Sequence, residues 1–464
     1  MIQYISQRQL KIEEFGNLYQ MKLDPQNRWV QLGKHLPWDK LVPIYSKHFS
    51  TSGTVSVNPR IVIGSLIIKH KLNLSDEETV QSIAENPYMQ YFLGFAEFSP
   101  YPLFSASLFV EWRKKLGNDT FNDFTNVLLR ICFPKKIKTA VAINSSSATK
   151  EATPVVANKG KLKLDATVAD QYITYPNDLG LLNDGREKTE QLIDFLFDLL
   201  REQIRVKPRT YRKEARKRYL AEAKKRQKNK AGLRKAIRYM LNCLDRNIRS
   251  INNMLDQRKD NPLSHRQMRQ FWIIQTLNDQ QRLMYSERTN RCDHRIVSIG
   301  QPHVRPIVRG KQGKKVEFGA KIGLSLADGF AKAQTISWDA YNESADLIPH
   351  AEAYKELYGY YPELIQVDKI YGTNRNRKWC TQNSIRMTVT PKGKPKEMTL
   401  YQKRKHKKEL SERNEVEGKI GQAKQGYRLN QVKAKLNQTS NSWIGITLFV
   451  TNLVNFAQMN GFHF

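Results

Sequence analysis

The chain reads as an α+β protein of several domains, with a helical N-terminal part and a mixed α/β layer interrupted by a long helical insertion. Three observations carry that reading. Apolar residues recur at helical spacing up to about residue 133. Strand-like alternation appears at Leu162 to Val168 and returns beyond residue 290. The stretch between those strands is helical and strongly basic. At 464 residues the chain exceeds one ordinary core, and its 40% hydrophobic content is enough to build more than one.

Residues 1–133 are expected to form a helical domain. Pro59 opens an apolar segment of helix length through Ile61, Val62, Ile63, Leu66, Ile67 and Ile68. Ser75, three residues before Glu78, offers a capping box for a second helix through Val80 and Ile83, and Asn86-Pro87 ends it. Helix, turn, helix suits DNA binding and equally suits a supporting bundle; no recognition helix decides between them. Residues 134–160, with Ser145 to Ser147 and Pro154 and no apolar period, are expected to be a linker. A strand follows, in which Leu162, Leu164 and Ala166 alternate with Lys163, Asp165 and Thr167.

Residues 186–289 are expected to be the insertion. Leu192, Phe195 and Leu199 begin a helix, and about half of residues 205–235 are Lys or Arg. Ile237, Leu241, Leu244, Ile248, Ile251 and Leu255 follow at alternating steps of four and three, a heptad seam. Phe271, Ile274 and Leu277, beyond Pro262, supply a partner, so an antiparallel helical hairpin with basic arms is expected.

Residues 161–185 and 290–464 complete the α/β layer. Strands are expected at Ile296 to Ile299, Val316 to Leu326, Ala331 to Trp338 (after an Asp328-Gly329 turn), Leu364 to Val367 and Ile385 to Thr390. Helices are expected at Glu343 to Leu357 and near Asn374 to Thr381, and one long charged helix leads to Tyr427. The apolar run from Trp443 to Phe456 is interrupted by Asn452 and Asn455, and Asn441 precedes it, so it reads as a buried helix.

Seventy-seven Lys and Arg against 44 Asp and Glu give a formal charge of +33. Such a surplus repels itself until a polyanion neutralises it, so nucleic acid is the natural partner. A membrane-surface role would call for an amphipathic or anchored segment, and no run is apolar enough for a span. The N-terminus shows no secretory pattern. Cys132, Cys243, Cys292 and Cys380 lie far apart; Cys292 and His294 are close, but no second pair completes a zinc site. A reducing compartment, the cytoplasm, is expected.

Asp165 projects from the first strand, and Asp368 ends the strand after the Glu343 helix; strand ends in α/β sheets are where catalytic groups converge. Glu417 lies in the long helix, on one face with Arg413 and Lys424 and beside a stripe of Val416, Ile420, Ala423 and Tyr427. Three converging carboxylates suit phosphoryl chemistry, since a pair of divalent ions can activate the nucleophile and steady the leaving oxygen.

Here the residues carry a resemblance. Arg413-x3-Glu417-x6-Lys424 resembles the Tyr-x2-Arg-x3-Glu-x6-Lys signature of insertion-sequence DDE transposases, with Leu410 in place of the tyrosine. Residues 163–167 (KLDAT) resemble their first-aspartate strand, and residues 367–372 (VDKIYG) their second-aspartate segment. Residues 304–322, Asp339 to Leu347 and Pro59 to Gly94 are similar to the insertion-sequence-five group. Glu412 and Glu415 compete with Glu417 as third acid, and helix phase turns Glu415 about 200° away.

The resemblance implies a ribonuclease-H-like core with Asp165, Asp368 and Glu417 as catalytic residues and ligands for two Mg2+ or Mn2+ ions. It implies double-stranded DNA as substrate, both terminal inverted repeats and target, and a homodimer or higher oligomer on the ends. Arg413 and Lys424 would bind phosphate, and from the basic insertion Arg212, Lys213, Arg216, Lys217, Lys224 and Lys225 are expected to join them. The implied reaction is cleavage at element ends followed by joining of 3′ ends to target DNA. A catalytically silent DNA-binding descendant and a structure-specific nuclease are the alternatives.

Overall fold

The structure, a computed structural model, describes residues 22–49, 57–137, 157–227, 229–257, 260–308, 316–390 and 397–464. Most of the expected linker, and residues 309–315 of the family-like segment, lie outside the described residues.

In chain order, seven helices come first: α1 (Arg28–His35), α2 (Trp38–Ser46), α3 (Pro59–Leu72), α4 (Asp76–Glu85), α5 (Pro87–Leu93), α6 (Leu108–Lys115) and α7 (Asn118–Cys132). Strand β1 (Lys161–Asp170) precedes α8 (Asp178–Leu199), α9 (Arg212–Ala223), α10 (Lys230–Leu255) and α11 (His265–Ser286). Then come β2 (Arg305–Val308), β3 (Val316–Ala327), β4 (Phe330–Ser337), α12 (Leu347–Tyr358), β5 (Leu364–Gln366), α13 (Asn374–Gln382) and β6 (Arg386–Met387). The chain closes with α14 (Leu400–Glu412), α15 (Asn414–Gly421), a π turn over Gln422–Gly426, and α16 (Asn437–Met459). The chain divides into two compact units: Met1–Asp170, Ala320–Ser337 and Tyr341–Phe464 form the first, Gln171–Gly319 and Trp338–Ala340 the second.

In the first unit the helix boundaries follow local chemistry. Asn58 caps α3 by accepting from the Arg60 amide at 2.9 Å, with Pro59 in the first turn. The Ser75–Glu78 capping box closes in both directions, at 3.1 and 2.8 Å, an arrangement worth about 1 kcal/mol. Within this unit the strand order is β4-β3-β1-β5-β6. β3 and β4 are antiparallel, and Asp328 and Gly329 both take positive φ (48° and 81°) in the turn between them. β5 runs parallel to both β1 and β6. β6 has two residues rather than the six expected; Thr388 prolongs the pairing by donating its amide to Ile365 O.

The expected boundary at residue 133 is not where the chain divides. Val62, Leu66, Phe92 and Phe124 share one hydrophobic core with Leu162, Leu164, Ile365 and Phe449. The reason lies in α16, which is apolar on nearly every side and so needs neighbours on every side; α3, α6 and α7 cover part of it and β4 another part. Its asparagines have a structural use. Asn452 accepts from the Ala331 amide at 2.8 Å and donates to the Ala331 carbonyl at 2.7 Å, pairing the edge of β4, and Asn455 donates to Gly329 O.

Two further differences bear on the site. The helix expected from Glu343 begins as a 3-10 turn over Glu343–Asp346. The single long helix expected up to Tyr427 is interrupted at Arg413 and widened by the π turn.

The second unit contains the insertion. Leu241, Leu244 and Ile251 of the heptad seam are fully buried. Their partners come from α8 (Leu182, Leu192, Ile193, Leu196) as well as from α11 (Phe271, Ile274, Leu277), so three long helices replace the expected two-helix hairpin. α8 starts at Asp178, capped by Asn177, rather than near Arg186. Its buried stripe is Leu192, Ile193 and Leu196, which leaves Phe195 and Leu199 exposed. Ile296 to Ile299 form no strand; Ile296 and Ile299 pack instead into the core of the helices. No helix among the described residues is long and apolar enough to cross a membrane.

Candidate active site

Along β1, Leu162, Leu164 and Ala166 are buried, which turns Lys161, Lys163 and Asp165 to the opposite face. The parallel pairing of β1 with β5 runs from Lys161↔Leu364 to Lys163↔Gln366. Asp165 and Asp368 each lie two residues beyond the last pair of that register, and the Asp368 charge acts on Asp165. Asp368 precedes a 3-10 turn over Lys369–Tyr371, and the fully buried Tyr371 ring anchors that turn. The Asn376 amide donates to the Tyr371 carbonyl at 2.9 Å and the Ser344 carbonyl at 2.7 Å. Gly372 follows because a Cβ there would lie 2.6 Å from Val389 and 2.9 Å from Arg377. Asp368 is thus an exposed side chain on a firmly held backbone.

The segment carrying Glu417 is fixed across three strands. Lys161 pairs with Glu412 at 2.6 Å, and Lys163 pairs with Glu415. Gln366 donates to the Glu409 carbonyl at 2.6 Å, and Arg386 reaches the Glu409 carboxylate at 2.9 Å. Singly, such half-exposed pairs contribute about 0–1 kcal/mol. Spaced along alternate residues of β1, they select one register of helix against strand. Glu412 and Glu415, the rival third acids, are therefore occupied by lysines.

Arg413 sits where α14 ends. Its guanidinium donates to Glu417 at 2.7 Å and lies 3.7 Å from the Asp368 carboxylate. The arginine side chain is 16% exposed, against 61% for Asp368 and 52% for Glu417, so the cation is sunk between two solvent-facing acids. Burial raises the Asp165 pKa, and Asp368 and Glu417 raise it further; the Ala166 N–H, donating at 2.8 Å, and Arg413 oppose them. Asp165 thus feels both other acids.

Among the described residues, no three His, Cys, Asp or Glu side chains are arranged to hold a metal ion as they stand. The place between Asp368 and Glu417 is taken by a cation of the chain's own. The donor chemistry nevertheless fits a divalent ion, since carboxylate oxygens are the hard ligands Mg2+ and Mn2+ accept.

Lys424 is half-buried in the π turn, so the regular helical phase shared with Arg413 and Glu417 ends at Gly421. In the second unit, Arg212 is held by Asp194 through bonds of 3.0 and 2.7 Å, and Lys225 pairs with Glu222 at 2.6 Å. Lys213, Arg216, Lys217 and Lys224 are exposed. Lys213 and Arg216 border an open cavity of about 320 Å³ with Arg186, Glu187 and Glu190. The lysines that position the site, Lys161 and Lys163, are ones that sequence reasoning misses. Their signal is nevertheless there: they share the Asp165 face of an alternating strand.

Sequence comparison gives this geometry its context. Residues 365–454 match the family described as Transposase DDE domain, and residues 17–115 match Transposase domain (DUF772). The first match contains Asp368, Arg413, Glu417 and Lys424; Asp165 lies outside it. A curated relative, "Uncharacterized protein ORF8 in nfe locus" of Rhizobium meliloti, is 26% identical over 167 residues, 35% of this chain and 73% of that protein. No solved structure matches.

Proposed function

Because this chain belongs to the insertion-sequence DDE transposases, we propose that it cleaves DNA at element ends and joins the freed 3′ ends to target DNA, on a ribonuclease-H-like core. The observation that carries the proposal is the meeting of Asp368 and Glu417 on one guanidinium, with Asp165 near enough to feel the charge of all three. Three acids from three separate chain segments have no structural need to meet there, since unpaired like charges repel. The strand order β4-β3-β1-β5-β6, with parallel pairing on one side of β1 and an antiparallel hairpin on the other, supports the core assignment.

Asp165, Asp368 and Glu417 would hold two Mg2+ or Mn2+ ions, which when bound activate water or a 3′-hydroxyl and stabilise the departing oxygen. Arg413 exchanges its carboxylate partners for a DNA phosphate, a geometry that guanidinium forks favour. Lys424, together with Lys213, Arg216, Lys217 and Lys224 of the insertion, adds backbone contacts. Assembly of two or more copies on the DNA ends belongs to the same proposal.

One observation favours the silent DNA-binding alternative: Arg413 already neutralises two of the acids. Labelled duplex carrying the DNA that flanks the gene, incubated with Mg2+ or Mn2+, separates the readings. Nicks that leave 3′-hydroxyls, followed by joined products, are expected. Binding without nicking in either metal would leave the silent reading, and nicking without joining would leave a nuclease.

A further inference from the structure

Helix α11 carries apolar side chains on two opposite faces. Phe271, Ile274 and Leu277 are buried against its neighbours in the second unit. On the other side, Trp272 is 57% exposed and Leu283 47% exposed. Both belong to a row, Arg269, Trp272, Thr276, Asp279, Leu283 and Ser286, whose members are all exposed and follow at alternating steps of three and four. At about 100° per residue the row keeps to an arc of about 100°, opposite the buried face. That spacing is the seam one helix offers another, and among the described residues nothing covers it.

Single exposed apolar side chains are ordinary on a protein surface. This row differs because it is complementary to itself. Let two copies lie antiparallel about a two-fold axis between Thr276 and Asp279. Trp272 then faces the partner's Leu283, Thr276 faces the partner's Asp279, and symmetry repeats each contact. Beside the seam, Arg266 comes across from the partner's Glu287, at positions where paired helices place their ion pairs. Both side chains are exposed, and neither has an ion-pair partner among the described residues. A parallel pairing would instead set Arg269 on Arg269 and Asp279 on Asp279, like charge against like.

We propose that the outer face of α11 is a self-association surface, on which a second copy of this chain docks antiparallel through Trp272 and Leu283. This rests on the transposase reading, under which two or more copies assemble on the DNA ends, and it gives that assembly a contact made by protein alone. A second copy fits because the charges and the apolar anchors of the face are matched by the face itself. The apolar layers are few, so the contact is weak between free chains and strengthens when one DNA raises their effective concentration.

The test uses the full-length chain, with Cys132→Ser and Cys292→Ser to silence the less buried thiols. Arg269→Cys chains mixed with Ser286→Cys chains should form a disulfide-linked dimer under mild oxidant, and neither variant alone should do so. Sedimentation equilibrium supplies the energetics. Trp272→Ala with Leu283→Ala should raise the dimer dissociation constant about a hundredfold. Arg266→Glu should raise it about fivefold, and adding Glu287→Arg should restore it, which separates a lost pairing from a lost fold. Absence of the mixed cross-link overturns the seam, as does a dimer indifferent to Trp272→Ala with Leu283→Ala. Cross-linking of either single variant by itself would mean parallel pairing and overturn it too. So would a chain that stays monomeric while those two changes weaken its hold on duplex, since the face would then touch DNA. Nicking and joining without the mixed cross-link would overturn the seam alone. The mixed cross-link in a chain that neither nicks nor joins DNA would support the seam and overturn the enzymatic reading.

Discussion

Helices α9 and α14 look alike in sequence, each a dense run of Lys and Arg, yet the structure treats their charges differently. On α9 and its neighbours, carboxylates hold several cations: Arg212 and Lys207 on Asp194, Arg218 on Glu214, Lys225 on Glu222. On α14 the acids face the sheet and the cations face solvent. Charge density alone says that a segment is wet. The direction of the intervening acids says which cations still lack a counterion.

The largest effect should come from the acids of the site. Asp165→Asn, Asp368→Asn and Glu417→Gln should each reduce metal-dependent cleavage by about a thousandfold, roughly 4 kcal/mol of barrier. Duplex affinity should stay within a few-fold of wild type, as gel shift beside a cleavage assay would show. Cleavage at wild-type rate in any one of them would remove that residue from the site.

A smaller effect is expected in the insertion. Lys213→Gln, Arg216→Gln, Lys217→Gln and Lys224→Gln together should lower the salt slope of duplex binding, by about 0.9 for each phosphate no longer neutralised. Arg212→Gln should change that slope little, because its charge is already matched by Asp194. Its cost should appear in thermal stability instead. A larger slope change from Arg212→Gln than from the other four would break the distinction between paired and unpaired cations.

Arg413→Ala removes a charge that lowers the Asp165 pKa. Asp165 should then protonate at higher pH than in the wild type, so the acid limb of the cleavage profile should move upward, with Arg413→Lys restoring part of it. A profile that keeps its acid limb in place would detach Arg413 from Asp165.

A fourth expectation concerns stability alone. Burial, assisted by Lys332, lowers the His350 pKa to about 3, and burial lowers that of His303 to about 4. Unfolded histidines take up protons near pH 6.5 while these stay neutral in the folded chain, so the unfolded state binds more protons. Stability should therefore be fully present above pH 6.5 and fall as pH drops towards 4, by a few kcal/mol at about 1.4 kcal/mol per unit. Denaturant melts of the wild type and His350→Gln across that range check it; equal slopes would remove His350 from the account.

Much of the site was legible in the sequence because its parts are local. Strand alternation exposes Asp165, and the end of a short apolar run exposes Asp368. The capping box at Ser75 and the Asp328-Gly329 turn are likewise four-residue chemistry. What was not legible depends on long-range packing. The break at Arg413 arises in a segment whose residues would continue a helix. The absence of a strand at Ile296 to Ile299 depends on helices elsewhere that take up those side chains. That the N-terminal helices share a core with the sheet was not legible because α16, which they cover, comes more than 300 residues after residue 133. The pairing of Arg212 could not be read from spacing, because Asp194 lies far from it along the chain.

Asp165, Asp368 and Glu417 are proposed to grip a common set of divalent ions. Fe2+ substituted for Mg2+, with ascorbate and peroxide, cuts a polypeptide beside the side chains that bind the ion. Three sets of backbone cuts are expected, near residues 165, 368 and 417, all suppressed by excess Mg2+ and all lost together in Asp165→Asn. Cuts near one of these segments only, or cuts that Mg2+ does not suppress, would contradict it.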